Sequence, residues 1–377
     1  MNPVPFNRTW AATSALTYLK ESLDSGQTGG DSMFTKRCAK WLGDYLGGAK
    51  VFLTPSCTAA LEMSALLSGV KPGDEVIVPS FTFVTTASAF ALFGARIVFA
   101  DVRPDTLTLD EDHVQRLIGP KTRAVATVHY AGVSPDPRPM VEICASRGVT
   151  LVEDAAHALG ASFNGRPLGT FGSMATLSFH ESKNFSCGEG GAIIVNDPAL
   201  IARAEILREK GTNRSAFLRR EIGKYTWVDL GSSYLASDLC TAALMAQFED
   251  YEIIQSRRHS LWNRYQVAFR EWAENLGVRL PVVPSGCHHA AHLYYLIFPT
   301  NKLRDDAIQW LRDHDIEAYF HYLPLHLSPV GQRVGCAPLG ALNTEHLSQC
   351  LLRLPLFPGL EEHQQTRVIE VLTAFPG

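Results

Sequence analysis

The sequence has no apolar run approaching the roughly 18 residues that a membrane-spanning helix needs, so a transmembrane segment is excluded. No CxxC pair occurs. The eight cysteines (38, 57, 144, 187, 240, 287, 336 and 350) are scattered, as expected of reduced, mostly buried thiols in a cytosolic protein and not of a disulfide scaffold. No charge of one sign dominates: 34 Lys and Arg stand against 38 Asp and Glu, a net charge of −4. That argues against a general binder of nucleic acid or of membrane surfaces. No basic start followed by an apolar stretch opens the chain, so no signal peptide is expected. Repeats, low-complexity tracts, a Walker A motif and a GxSxG elbow are also lacking. What is present is 377 residues, 46% hydrophobic and 19% charged. That is an ordinary globular composition, long enough for two or three domains, or one large and one small, and for a large core.

From about residue 50 to 200, short apolar runs alternate with stretches of helical period. The predicted strands are Val51–Thr54, Glu75–Pro79, Arg96–Ala100, Ala124–His129, Thr150–Glu153, Ala175–Phe179 and Ala192–Val195. Predicted helices between the earlier ones are Ala59–Leu67, Val84–Phe93, Asp112–Ile118 and Pro139–Ser146. Such alternation implies an α/β fold: a mostly parallel, seven-stranded sheet with helices on both faces. The last two runs leave no room for a helix, so the strand order is expected to change there. Residues 234–275 read as helical. Leu293–Phe298 then reads as a strand, Leu303–His314 as a helix and Ala318–Tyr322 as another strand, giving a smaller C-terminal α+β domain. The expected division is 1–245 and 246–377; whether the first 25 or so residues pack on the small domain stays open.

Three segments invite chemistry. Thr54-Pro-Ser-Cys-Thr-Ala-Ala-Leu follows a strand and opens a helix, which suits a phosphate cradle at a helix N-terminus or, equally, a plain cap from Ser56 or Thr58. Asp154, in Val152-Glu-Asp-Ala-Ala-His, ends a strand where open α/β sheets bind ligands; it can pair with a positive ring nitrogen or a metal, or cap a helix. Lys183, in His180-Glu-Ser-Lys-Asn before the glycines Gly188 to Gly191, is either a solvated lysine or a desolvated amine able to form a Schiff base. The glycines precede a strand and not a helix, so they are no dinucleotide fingerprint. His288, His289 and His292 lack a carboxylate or cysteine at ligand spacing, so no metal is expected. His321-Tyr-Leu-Pro-Leu-His326 lines a pocket or packs a loop. In order, a phosphate cradle, an aromatic segment, an acid and a lysine 29 residues beyond it form a set that a phosphorylated pyridine aldehyde needs.

With these motifs in place, the chain resembles the DegT/StrS-type sugar aminotransferases, pyridoxal-phosphate enzymes of fold type I. The resemblance runs from Pro5-Phe-Asn through Pro79-Ser-Phe-Thr-Phe-Val, Ser178-Phe-His-Glu-Ser-Lys-Asn and Gly188-Glu-Gly-Gly. Arg208 to Ser215, Lys224-Tyr-Thr-Trp, Gly231-Ser-Ser-Tyr-Leu, Phe320 to His326 and Leu354-Pro-Leu-Phe are most similar to the enterobacterial-common-antigen branch, the dTDP-4-amino-4,6-dideoxygalactose transaminases. The resemblance implies pyridoxal 5′-phosphate as an internal aldimine on Lys183, cycling through pyridoxamine phosphate. Asp154 would hold the ring nitrogen, Phe83 would stack on the ring and His157 would touch its hydroxyl. Cys57, Thr58 and Ser178 would hold the phosphate. Cys57 stands where most of the family has Gly. Relatives add a phosphate contact from a neighbouring subunit in a Gly-x-Asn motif; here Gly231-Ser-Ser233 places Ser233 there, and at least a homodimer is implied. Gly29, Gly30, His321, Tyr322 and His326 would face the substrates, glutamate and a dTDP-linked 4-keto-6-deoxy sugar. A family dehydratase, a C3 transaminase, a C4 transaminase giving the gluco epimer and a non-catalytic sugar-sensing regulator are the alternatives. Intact Lys183 and Asp154, and the lack of a basic reading helix around Arg214–Lys224, weigh against the regulator.

Overall fold

The computed structural model describes residues 3–377. All seven expected strands form: β1 (Lys50–Thr54), β2 (Glu75–Pro79), β3 (Arg96–Ala100), β4 (Thr122–Val128), β5 (Thr150–Asp154), β6 (Met174–Ser178) and β7 (Gly191–Val195). Their order in the sheet is β1-β7-β6-β5-β4-β2-β3. An eighth strand, the two-residue Gly335–Cys336, adds parallel to β3 at the edge. Two residues carry no alternation, which is why the sequence pattern misses it.

Alternate residues of each strand feed opposite faces. Phe52, Val76, Val78, Ile97, Phe99, Val152, Met174 and Ile193 join one core with the helices Cys57–Leu67 and Val84–Ala91. Val51, Leu53, Leu177 and Ile194 meet the helix Met33–Tyr45 on the other face. Ile77, Val98, Val125 and Leu151 meet Arg138–Ser146 on that same side. Burial on both faces explains the unbroken apolar runs.

The expected change of order falls at β7. It runs antiparallel to both neighbours, with Gly191 opposite Thr54 of β1 and opposite Ser178 of β6. The end of β1, the end of β6 and the start of the helix Cys57–Leu67 therefore meet at one point. Gly191 is required there: a Cβ would lie 2.4 Å from the Cys57 nitrogen and 2.4 Å from the Ser56 carbonyl carbon.

After the helix Asp238–Glu249, the long helix Tyr251–Ala268 leaves the sheet core through Ile254 and enters a second core through Trp262 and Tyr265. That second core surrounds the antiparallel pair Tyr294–Ile297 and Leu351–Leu354 and the helix Asn301–Asp313. The expected strand Ala318–Tyr322 does not form; only Tyr319 bridges, to Arg353, before Pro324 and the short 3₁₀ turn Leu325–Leu327 redirect the chain. The first residues divide their contacts. Val4 bridges to Ile316 in the second core, whereas the helix Ala15–Asp24 packs on Asp238–Glu249.

Gly191→Ala should lower stability by roughly 1–3 kcal/mol, because backbone and not a flexible side chain meets the new methyl. Gly119→Ala, with open space around it, should change it by no more than about 0.5 kcal/mol. Paired denaturant titrations check the difference.

Candidate active site

A cavity of about 680 Å³ opens at the C-terminal ends of the parallel strands, between the sheet and the second core. It brings together nine of the residues singled out above: Cys57, Thr58, Phe83, Asp154, His157, Ser178, Lys183, His321 and Tyr322.

Asp154 is the last residue of β5 and is buried. Its Oδ2 accepts from the Thr86 hydroxyl at 2.7 Å and its Oδ1 from the Ala156 amide at 3.2 Å. Burial pushes this carboxyl up; the two donors and the nearby Lys183 charge oppose that shift. Lys183 lies on the loop between β6 and β7. The loop is pinned by Ser186 N–H donating to Gln247 Oε1 (3.0 Å) and by the Asn184 amide donating to the Ala290 carbonyl (2.8 Å). Burial draws the Lys183 amine down to about 8, with Cys57 and Asp154 pulling the other way and Arg353 adding to the fall. A free amine is thus available far below the ordinary lysine range.

Ser56 caps the helix Cys57–Leu67 by accepting from the Ala59 amide at 3.1 Å. Both readings of that segment are therefore compatible: the cap uses Ser56, while the Cys57 and Thr58 amides have no partner among the described residues. Burial raises the Cys57 thiol well above its ordinary range, so it stays neutral, beside Thr176 Oγ1 at 3.5 Å.

Burial holds His157, His292 and His321 far below the ordinary histidine range, and each is neutral. His157 accepts the Ala131 amide at Nδ1 (3.3 Å), which leaves Nε2 as its donor, and it stacks on His292 at 4.2 Å. His321 Nδ1 lies 2.9 Å from the Tyr130 hydroxyl. Phe83, 55% exposed, presents its ring at the mouth.

Four expected residues do not line the cavity. His326 is held by Ser80 Oγ (2.7 Å) and Glu345 (3.2 Å). Gly29, Gly30 and Ser233 are not among the lining residues; a Cβ on Gly30 would meet Leu235 at 2.7 Å, and Ser233 bridges to Glu209. The three histidines of the 288–292 segment split: His288 and His289 pack against His259, while His292 enters the cavity. Among the described residues, no group of three or more His, Cys, Asp or Glu is arranged to hold a metal ion, and no helix is long and apolar enough to cross a membrane.

Several participants were not anticipated. Thr86 gave no local signal. Asn7 reaches the cavity from the N-terminus and donates to the Glu181 carbonyl at 3.1 Å. Arg353 interrupts the apolar run Leu351 to Phe357, a signal that was legible.

The comparisons with known proteins agree with this geometry. A family model described as the DegT/DnrJ/EryC1/StrS aminotransferase family matches residues 11–373. The chain belongs to that aminotransferase family. It is 29% identical over 377 residues to the spore coat polysaccharide biosynthesis protein SpsC of Bacillus subtilis, covering 98% of this chain and 96% of SpsC. Among solved structures, the aminotransferase TlmJ of Streptoalloteichus hindustanus superposes with a TM-score of 0.89 at 30% identity, over 98% of each chain. S. venezuelae DesV, solved in complex with a ketimine intermediate, gives 0.88 at 29%, over 99% of this chain and 98% of DesV.

DegT-family aminotransferases use pyridoxal 5′-phosphate, which alternates with pyridoxamine phosphate. The residues present fit that group. Unpartnered amides at a helix N-terminus suit a phosphate, a buried carboxylate suits a protonated ring nitrogen, and a buried amine suits the aldehyde. In the cofactor-free protein, competitive acetylation read by mass spectrometry should show Lys183 reactivity rising with pH with a midpoint at about 8. A midpoint near that of exposed lysines, about 10.4, would remove the burial argument.

Proposed function

We propose that this aminotransferase moves the amino group of glutamate to C4 of dTDP-4-keto-6-deoxy-D-glucose. The products are 2-oxoglutarate and dTDP-4-amino-4,6-dideoxy-D-galactose, the latter for a bacterial surface polysaccharide. The carrying observation is the make-up of the cavity wall. Facing Lys183 and Asp154 are Phe320, His321, Tyr322, Leu354 and Leu356, from two of the segments most similar to the common-antigen branch. The likeness to a spore coat polysaccharide biosynthesis protein supports a sugar acceptor.

When bound, pyridoxal phosphate supplies an electron sink for the carbon that loses its proton. Lys183 Nζ takes that proton from the donor's α-carbon and returns one to the acceptor's C4; its lowered basicity suits both directions. Asp154, oriented by Thr86 and Ala156, would hold the ring nitrogen protonated. The amides of Cys57 and Thr58 and the Ser178 hydroxyl would hold the phosphate, Phe83 would cover the ring and His157, with Nε2 as its donor, would meet the ring hydroxyl. His321 and Tyr322 face the sugar. His326, tied to Ser80, positions the turn that follows them.

The working unit is at least a homodimer with shared sites. Phe217, Leu218, Tyr225, Trp227, Val228 and Leu230 are exposed, Trp227 at 72%, on the region that includes the Gly211 turn. Covering this face with a second copy would bring Ser233, Gly29 and Gly30 to the neighbouring site.

Purified protein, pyridoxal phosphate, glutamate and the keto sugar should give an amino sugar with an axial C4 amine by NMR. An equatorial amine would correct the product to the gluco epimer, and no amino sugar would overturn the acceptor. Lys183→Ala should abolish both turnover and the absorbance band of the lysine-linked cofactor while the circular dichroism stays native. Asp154→Asn should still bind cofactor but turn over roughly a hundredfold more slowly. Unchanged turnover would reduce Asp154 to a structural cap.

A further inference from the structure

Arg353 is a cation without a counter-charge. It sits in the strand Leu351–Leu354 between buried Leu352 and Leu354, and it lines the cavity. The guanidinium uses only one nitrogen: Nη2 donates to the Phe320 carbonyl at 3.0 Å. Its Nε is buried with no partner, and no carboxylate lies within ion-pair distance among the described residues. Arg208 and Arg304, both buried, each meet an aspartate, Asp31 and Asp305, at 2.6 and 2.7 Å. The fully buried Arg258 is satisfied by three backbone carbonyls, whereas half-buried Arg353 has one carbonyl and a sealed Nε with no acceptor, an arrangement that suits a partner from outside the chain.

The surroundings narrow that partner to an anion bound edge-on. The Phe6 ring lies 4.9 Å from the guanidinium carbon and covers one face. Phe6 is itself fixed by its amide donating to Glu317 Oε2 at 2.8 Å and by an edge contact with Tyr319 at 5.0 Å. The charged and titratable groups facing Arg353 are the phenols of Tyr130, Tyr319 and Tyr322, the neutral rings of His157 and His321, and Lys183. None of these neutralises it. Of the acids lining the cavity, Asp154 is engaged by Thr86 and Ala156, and Glu189 is exposed and lies 3.8 Å from His180.

We propose that Arg353 binds the carboxylate of the amino donor. A planar fork with a free edge matches a planar carboxylate through two parallel hydrogen bonds, better than it matches a tetrahedral phosphate. The position also suits the chemistry, because the Arg353 charge is felt at the Lys183 amine and the donor's α-carboxylate adjoins the carbon that gives up its proton. The inference rests on the amino-acid donor of the reading above, not on which keto sugar accepts.

The test uses the pyridoxal-phosphate-loaded protein and two probes, glutarate and dTDP, titrated by calorimetry. Arg353→Gln should weaken glutarate binding about 10- to 100-fold and leave dTDP binding unchanged. The apparent KM for glutamate should rise by a similar factor in the donor half-reaction. Arg353→Lys keeps the charge but loses the two-point edge, and should show a smaller loss of the same kind if the Gln variant does not fold. Unchanged glutarate affinity in a natively folded variant would overturn the proposal. So would an equal loss of dTDP affinity, which would assign Arg353 to the nucleotide phosphates. Failure of the sugar assay would leave the glutarate result standing, so the two readings fail separately.

Discussion

The arrangement depends on one backbone approach, that of Gly191 to Ser56 and Cys57. By running antiparallel between β1 and β6, β7 brings two strand ends and a helix start within van der Waals distance. The contact sets where the first-turn amides of the helix Cys57–Leu67 point. It also fixes the two ends of the loop that carries Lys183, since that loop leaves β6 at Ser178 and returns at Gly191. A helix terminus with unpartnered amides and the buried Lys183 amine are thus placed by the same strand insertion, although they are far apart in sequence.

The electrostatics follow from burial and not from an accumulation of charge. Four histidines line the cavity, and burial keeps three of them, His157, His292 and His321, neutral, so these three act as shape and as hydrogen-bond donors or acceptors. The charges that remain are few and separated in role: Asp154 on the sheet side, Lys183 on the hairpin loop, Arg353 on a strand of the second core and Glu189, exposed, beside His180. The neighbouring Glu153 points to the other face of β5. Burial there opposes ionisation, but the His129 ring and the amides of Gly169 and Gly172 hold Glu153 below the ordinary carboxylate range. Two adjacent acids thus serve separate ends, one bracing the turn behind the sheet and one facing the cavity.

The sheet was legible because its strands are short apolar runs cut by helices, a pattern that burial on both faces imposes. The order of acid and lysine was legible because each follows a strand. Less legible was everything that depends on distant backbone meeting: the Gly335–Cys336 edge strand, the failure of Ala318–Tyr322 to form a strand, and Thr86 beneath Asp154. Ser233, Gly29 and Gly30 were named from resemblance, and none of them lines the cavity of the single chain. Arg353 could have been noticed, since a guanidinium inside Leu-Leu-Arg-Leu-Pro-Leu-Phe contradicts its apolar setting.

The N-terminal residues Val4 to Thr9 touch the second core, the cavity arginine and the lysine loop in turn. Val4 pairs with Ile316, Phe6 lies on Arg353, and Asn7 and Thr9 both donate to the Glu181 carbonyl in the lysine loop. A strap fixed at both ends behaves as a tie rod. The C-terminal lobe cannot rotate away from the sheet without pulling on the loop that carries the amine or breaking these bonds. The placement of the second core and that of the lysine loop are therefore tied to each other through the six residues Val4 to Thr9.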